Sequence, residues 1–111
     1  MSSPDREQLK EVLQEISVKS SENLSVADMA KFCGWSSSHF MRWFKKMTGD
    51  SFTSYVNDRR LAEAAEALCQ TDDKILTIAQ DAGFMNLSNF NRQFKKRYGV
   101  TPREYREMIG I

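Results

Sequence analysis

Two stretches of this chain nearly repeat each other: GWSSSHFMRWFKK, from Gly34 to Lys46, and GFMNLSNFNRQFKK, from Gly83 to Lys96. The likeness extends further on both sides. Val26, Met29, Ala30, Gly34 and Trp35 recur as Ile75, Ile78, Ala79, Gly83 and Phe84, at an offset of 49. One inserted residue follows. Ser38, Phe40, Arg42, Phe44, Lys45, Lys46, Gly49 and Tyr55 then recur as Ser88, Phe90, Arg92, Phe94, Lys95, Lys96, Gly99 and Tyr105, at an offset of 50. Each copy reads as a short helix, a glycine turn and a second helix, the helix-turn-helix plan. A solenoid needs at least about three stacked repeats, so two copies predict two similar surfaces rather than a stack. With 111 residues, the chain is one compact unit or two very small ones that share an element.

Hydrophobic periodicity supports helices throughout and gives almost no strand signal. Leu9, Val12, Leu13 and Ile16 form a stripe over Glu7 to Val18. Ser25 is placed to cap a short helix bearing Val26, Met29, Ala30 and Cys33, which Gly34 ends. Phe40, Phe44 and Met47 mark a helix from Ser36, with Trp43 beside them, closed by Gly49. A longer Ala- and Leu-rich helix is expected from about Phe52 to Cys69. Lys74 to Ala82 repeats the short helix, and Asn86 to Tyr98 repeats the second one, with Phe90, Phe94 and Tyr98 inward. Thr101 and Pro102 open a last helix, with proline in the first turn, reaching Met108. The expected fold is all-α, about seven helices. It forms two helix-turn-helix subdomains, residues 5–50 and 71–111, joined by a linker helix over 51–70. Trp35 and Phe84 are expected in the core, as are the scattered methionines apart from Met41. Cys33 and Cys69 lack metal or redox spacing and read as buried structural thiols.

At 100° per residue the second helix of each copy turns a polar face away from its aromatic stripe. Ser38, Arg42 and Lys45 share that face in the first copy, with Met41 at its edge. Ser88, Asn91, Arg92 and Lys95 share it in the second. Short polar residues let a helix approach base-pair edges closely. Arginine can donate two bonds to guanine, and asparagine can bond adenine in the same bidentate way. A single such face would be an ordinary solvated surface; its duplication at matching positions favours a working role.

The net charge of +1 is too small to announce a nucleic-acid partner, but its distribution is uneven. Between Asp28 and Asp50 there is no acid, and Lys31, Arg42, Lys45 and Lys46 give +4. Between Asp81 and Glu104 there is again none, and Arg92, Lys95, Lys96, Arg97 and Arg103 give +5. Acid therefore outweighs base elsewhere, notably at Asp5, Glu7, Glu11 and Glu15. Local basic patches of this kind serve phosphate contact. An enzyme finds no support: there is no glycine-rich phosphate loop, no metal-ligand cluster and no nucleophile beside a base. His39 is the only histidine, so no catalytic histidine pair is available, and no metal or cofactor is expected. A module that grips an acidic protein with the same faces is the alternative, but it has no need of two similar reading helices. No apolar run approaches the roughly 20 residues of a membrane span, and the polar start has no signal-peptide core, so a cytoplasmic protein is expected.

Successive major grooves on one face of B-DNA lie about 34 Å apart. A connecting helix of about 17 residues covers about 26 Å, with the flanking turns still to be added. The two faces are thus expected to look the same way, about one duplex turn apart, with some bending of the DNA.

The residues Leu24-Ser25-Val26 through Gly34-Trp35-Ser36, then Ser38-His39-Phe40-x-Arg42-x-Phe44-Lys45-Lys46, resemble the DNA-binding domain of the AraC/XylS family of bacterial regulators. The second copy resembles it more specifically: Ile78-Ala79, Gly83-Phe84, Phe90-x-Arg92-x-Phe94-Lys95-Lys96, and Gly99-Val100-Thr101-Pro102-x-x-Tyr105-Arg106. The resemblance implies seven helices and transcription regulation through double-stranded DNA. It places Ser38, Met41 and Arg42 at base edges from the first helix, and Leu87, Ser88, Asn91 and Arg92 from the second. Leu87 either meets a thymine methyl or packs. Ser37, His39, Lys45, Lys46, Asn89, Lys95 and Lys96 would contact phosphates, which set register without reading sequence. His39 also reads as a surface cap or a solvent residue. The resemblance further implies RNA polymerase as a partner, activation as the usual mode and association with the nucleoid when bound. It also implies either a stand-alone regulator or, as the favoured reading, a segment whose effector-binding or dimerising domain lies outside it, and carbohydrate-use genes as targets.

Overall fold

The computed structural model describes residues 3–22 and 24–109. Among them run seven helices and no strand: α1 (Ser3–Lys19), α2 (Val26–Cys33), α3 (Ser37–Thr48), α4 (Phe52–Gln70), α5 (Ile75–Asp81), α6 (Leu87–Tyr98) and α7 (Pro102–Ile109). The all-α expectation holds. α1 begins at Ser3, four residues before its apolar stripe suggested. Pro4 suits a first turn, where a missing N–H is no loss. Asp5 in that turn accepts a hydrogen bond from Trp43 Nε1 at 3.3 Å.

The chain divides into two units, the first ending at Asn57 and the second starting at Asp58. The division falls inside α4. In the first unit, Val12 and Ile16 of α1, Met29 and Ala30 of α2, and Phe40 and Phe44 of α3 pack with Phe52 and Val56 from the start of α4. In the second, Leu61, Ala64, Ala65 and Leu68 from the rest of α4 pack with Ile78, Phe84, Phe90 and Phe94. The segment expected as a linker is therefore core on both sides of that seam. Each fully buried phenylalanine contributes about 1.5–3 kcal/mol relative to exposure. Phe40, Phe44, Phe90 and Phe94 are all at 0% exposure, so these four rings dominate their two small cores.

The turns explain why the repeat has glycine where it does. Gly34 adopts φ 74° and Gly83 φ 101°, a left-handed region that costs a side-chain-bearing residue about 1–2 kcal/mol. The next amide turns back in both copies: Trp35 N–H donates to Ala30 O at 2.8 Å and Phe84 N–H to Ala79 O at 2.9 Å. This is the Schellman pattern, which satisfies the orphan carbonyls at the end of a helix and swings the chain into the next one.

At the start of α7 the Thr101 hydroxyl accepts from Glu104 N–H at 3.1 Å, while Glu104 accepts from Thr101 N–H at 3.0 Å. That reciprocal pair is a capping box. The bond from the Thr101 backbone holds the Glu104 carboxyl below its ordinary range, helped by the Thr101 hydroxyl. A depressed folded value means the stabilisation is present above the unfolded carboxyl's pKa and is lost as pH falls through the folded one. The stability gap between the native chain and a Glu104→Gln variant should accordingly close as pH falls through the carboxylate range. A gap that is constant in pH would remove the charge from this account.

Three expectations about burial are corrected. Cys69 is exposed and Cys33 only half-buried. Cys69 lies one residue past the buried Leu68, about 100° round the helix from it. Cys33 accepts a weak bond from Gln8 Nε2 at 3.4 Å, and burial pushes its thiol pKa up. Met85 (97%) and Met108 (72%) are exposed rather than packed; Met1 lies outside the described residues. Trp35 is half-buried, whereas its counterpart Phe84 is fully buried. The larger indole sits at the rim, edge-on to Trp43 at 4.9 Å.

Candidate nucleic-acid interface

The second helix of each copy starts in the same manner. The Ser36 hydroxyl accepts from His39 N–H at 3.2 Å at the head of α3, and Asn86 Oδ1 accepts from Asn89 N–H at 2.9 Å at the head of α6. Those caps satisfy one of the free amides of the first turn. They leave Ser37 and Ser38, and likewise Leu87 and Ser88, on an exposed first turn that carries the positive end of the helix dipole. One face of each helix is fixed by its two fully buried phenylalanines, so the other must face water.

Most of the expected site residues lie on that opposite face, but Ser37 and Leu87, three residues before Phe40 and Phe90, start their helices on the phenylalanine side. Ser37, Ser38, His39, Met41, Arg42, Lys45 and Lys46 on α3 are exposed, as are Leu87, Ser88, Asn91, Arg92, Lys95 and Lys96 on α6; Asn89 is half-buried. Met41 exposes 47% of its surface and Leu87 37%. Neither helix contains an acid, and each ends in lysines, Lys45-Lys46 and Lys95-Lys96. Cations in a last turn also suit the helix dipole, which accounts for part of their presence. It does not account for Arg42 and Arg92 in mid-helix.

The two arginines differ in their settings. Among the described residues the Arg42 side chain makes no hydrogen bond or ion pair, so its five donors face solvent. Arg92 Nη2 donates to Asn89 Oδ1 at 3.0 Å. Asn89 corresponds in the repeat to His39, which instead lies edge-on to Trp35 with ring centres 4.6 Å apart. Arg97, next to the second patch, lies 3.9 Å from Asp58 Oδ1 and over the Tyr98 ring at 5.3 Å. It is thus partly engaged within its own unit.

Sequence reasoning gave no role to Arg106 of α7. Its guanidinium donates to three carbonyls: Leu68 O at 3.2 Å, Thr71 O at 3.0 Å and Asp73 O at 2.7 Å. The clasp ties the end of α4 and the loop before α5 to α7. The sequence signals were its place in the family-like run from Gly99 to Arg106 and its lack of a counterpart in the first copy, where Val56 stands.

A model described as a helix-turn-helix domain matches residues 29–108. The regulatory protein PocR of Salmonella typhimurium is 36% identical over 96% of this chain, which spans only 35% of PocR. A probable transcription factor from Proteus vulgaris, PqrA, is 38% identical over 84% of this chain and 76% of its own length. Among solved structures, a Chromobacterium violaceum transcriptional regulator described as AraC-type DNA-binding domain-containing superposes with a TM-score of 0.87. It is 28% identical, over 98% of this chain and 97% of that one.

Proposed function

Because this chain belongs to the AraC-type helix-turn-helix family of transcription regulators, we propose that it binds double-stranded DNA sequence-specifically with α3 and α6 in adjacent major grooves. The family regulates transcription through DNA and is not one of enzymes. The observation that carries the finer reading is the duplicated face: a side-chain-capped helix start, small polar residues and a solvent-facing mid-helix arginine, on α3 and again on α6. α4 runs unbroken for 19 residues, about 28 Å of helix.

In this reading Ser38, Met41 and Arg42 meet base edges from α3, and Leu87, Ser88, Asn91 and Arg92 from α6. Arg42, unrestrained and fork-shaped, suits a guanine edge. The exposed Met41 and Leu87 suit thymine methyls. Ser37, His39, Lys45, Lys46, Asn89, Lys95 and Lys96 neutralise or hydrogen-bond phosphates. The protein works in the cytoplasm at the nucleoid, activates by recruiting RNA polymerase, and controls carbohydrate-use genes. The short share of PocR that this chain spans supports an accompanying effector-binding or dimerising domain in the whole regulator.

Selection from random duplexes, followed by salt titration of the winning site, tests this directly. A site of about two helical turns is expected. Arg42→Ala should relax preference at one or two base pairs at a cost of about 1–3 kcal/mol, whereas Lys95→Ala should weaken all duplexes alike and lower the salt slope by about 1. Equal affinity for every duplex would refute base reading and leave a basic module of other purpose.

A further inference from the structure

The first unit has a hollow of about 450 Å³ beside α3, whose lining adds Val26, Ser51, Phe52 and Thr53 to residues of the proposed DNA face. Its lining is mainly apolar, supplied by Val26, Met41 and Phe52, and its rim carries Arg42, Lys45 and Lys46. No carboxylate lines it. Ser51 caps the start of α4 here, its hydroxyl accepting from Ser54 N–H at 3.2 Å, so the positive end of a 19-residue helix adds to the three cations. A duplex brings phosphates and base edges to this face, both hydrated and polar. Apart from a thymine methyl, it has nothing to lay on the apolar floor.

We propose that this hollow binds a small amphipathic monoanion, an aromatic or alkyl carboxylate, and that the bound anion competes with DNA for Arg42, Lys45 and Lys46. The competition rests on the DNA-binding reading of α3. The apolar body would cover Val26, Met41 and the edge of Phe52, gaining burial. The carboxylate would sit among three like charges that otherwise repel one another, while the lysine stems wall the sides. Size agrees as well. Ligand pockets commonly span about 300–1,000 Å³, and an apolar cavity of about 150 Å³ takes one benzene, so a bicyclic acid fits.

The probe is 2-naphthoate, with 2-naphthamide as its uncharged twin. Amide and methyl NMR shifts are followed on the whole chain, and displacement of a labelled selected duplex is followed by anisotropy. Naphthoate should bind saturably, with shifts centred on Val26, Met41 and residues 51–53, and naphthamide should bind at least about tenfold more weakly. Lys45→Gln with Lys46→Gln should weaken naphthoate about tenfold. Thr53→Trp, which fills the hollow, should abolish binding. Naphthoate at ten times its own Kd should raise the apparent duplex Kd about tenfold. Equal binding of the amide, or shifts scattered over surface lysines, would overturn the site. Occupation of the hollow with unchanged duplex affinity would overturn the competition. A chain that binds naphthoate but no duplex would instead overturn the DNA reading, because the anion is measured on the free protein.

Discussion

Replacing Phe94 with alanine is expected to destabilise the second unit by about 3–5 kcal/mol, the range for emptying a buried phenylalanine site. Phe94 has no exposed surface and touches four features of that unit at once. Its ring centre lies 5.7 Å from Phe90, 4.6 Å from Tyr98 and 5.3 Å from Tyr105, and the aliphatic end of α4 closes the cluster. Such ring pairs add about 0.5–1.5 kcal/mol each beyond their buried area, and a whole domain has only about 5–15 kcal/mol in reserve. Denaturant unfolding followed residue by residue by amide exchange should show Leu61 to Leu68, Ile78 and Phe90 losing protection. Protection at Val12, Ile16 and Phe44 should fall far less. A loss below about 1 kcal/mol, or an equal loss in both units, would contradict the division into two cores.

Removing the Arg106 guanidinium should have the next largest effect. Arg106→Ala leaves the Leu68, Thr71 and Asp73 carbonyls without their donor, and hydrogen bonds to charged groups contribute about 1.5–3 kcal/mol each. The three share one partly exposed side chain, so they do not add in full, and a total of about 2–3 kcal/mol is expected. For a unit of this size that is a fall in Tm of roughly 10 °C or more. Arg106→Lys should restore little, because an ammonium cannot span three carbonyls as a rigid fork does. In the proposed DNA-binding reading, sequence preference contributed by α6 should blur while that from α3 persists. A lysine variant as stable as the native chain would reduce the clasp to a single charge effect.

The helices and their punctuation were legible because both depend on neighbours in sequence. Apolar spacing marked the core stripes, Ser25, Ser36, Asn86 and Thr101 marked the starts, and Gly34, Gly49 and Gly99 marked the ends. Ser38, Met41, Arg42 and Lys45, with Ser88, Asn91, Arg92 and Lys95, followed from helical phase once Phe40, Phe44, Phe90 and Phe94 were assigned inward. Ser37, His39, Lys46, Leu87, Asn89 and Lys96 came instead from the family resemblance. What stayed hidden depends on contacts between distant residues. Arg106 reaches backbone more than thirty positions away, and Trp43 reaches Asp5 across 38. Neither carries a local pattern. Cys69 and Met85 were misjudged for the opposite reason: residue type suggested burial, and position at a helix end or turn decided against it. The hollow beside α3 was also beyond reach, since a void is defined by what fails to fill it.

The seam inside α4 has a practical corollary for anyone wishing to isolate one half of the molecule. No loop separates the halves, so a cut at Asp50 or Thr71 leaves one fragment deprived of Phe52 and Val56, or of Leu61 and Leu68, and the other carrying them bare to solvent. A bare stripe of that kind invites aggregation. Dissection by truncation should therefore yield insoluble pieces, and the contribution of each helix-turn-helix is better obtained by point substitution within the intact chain.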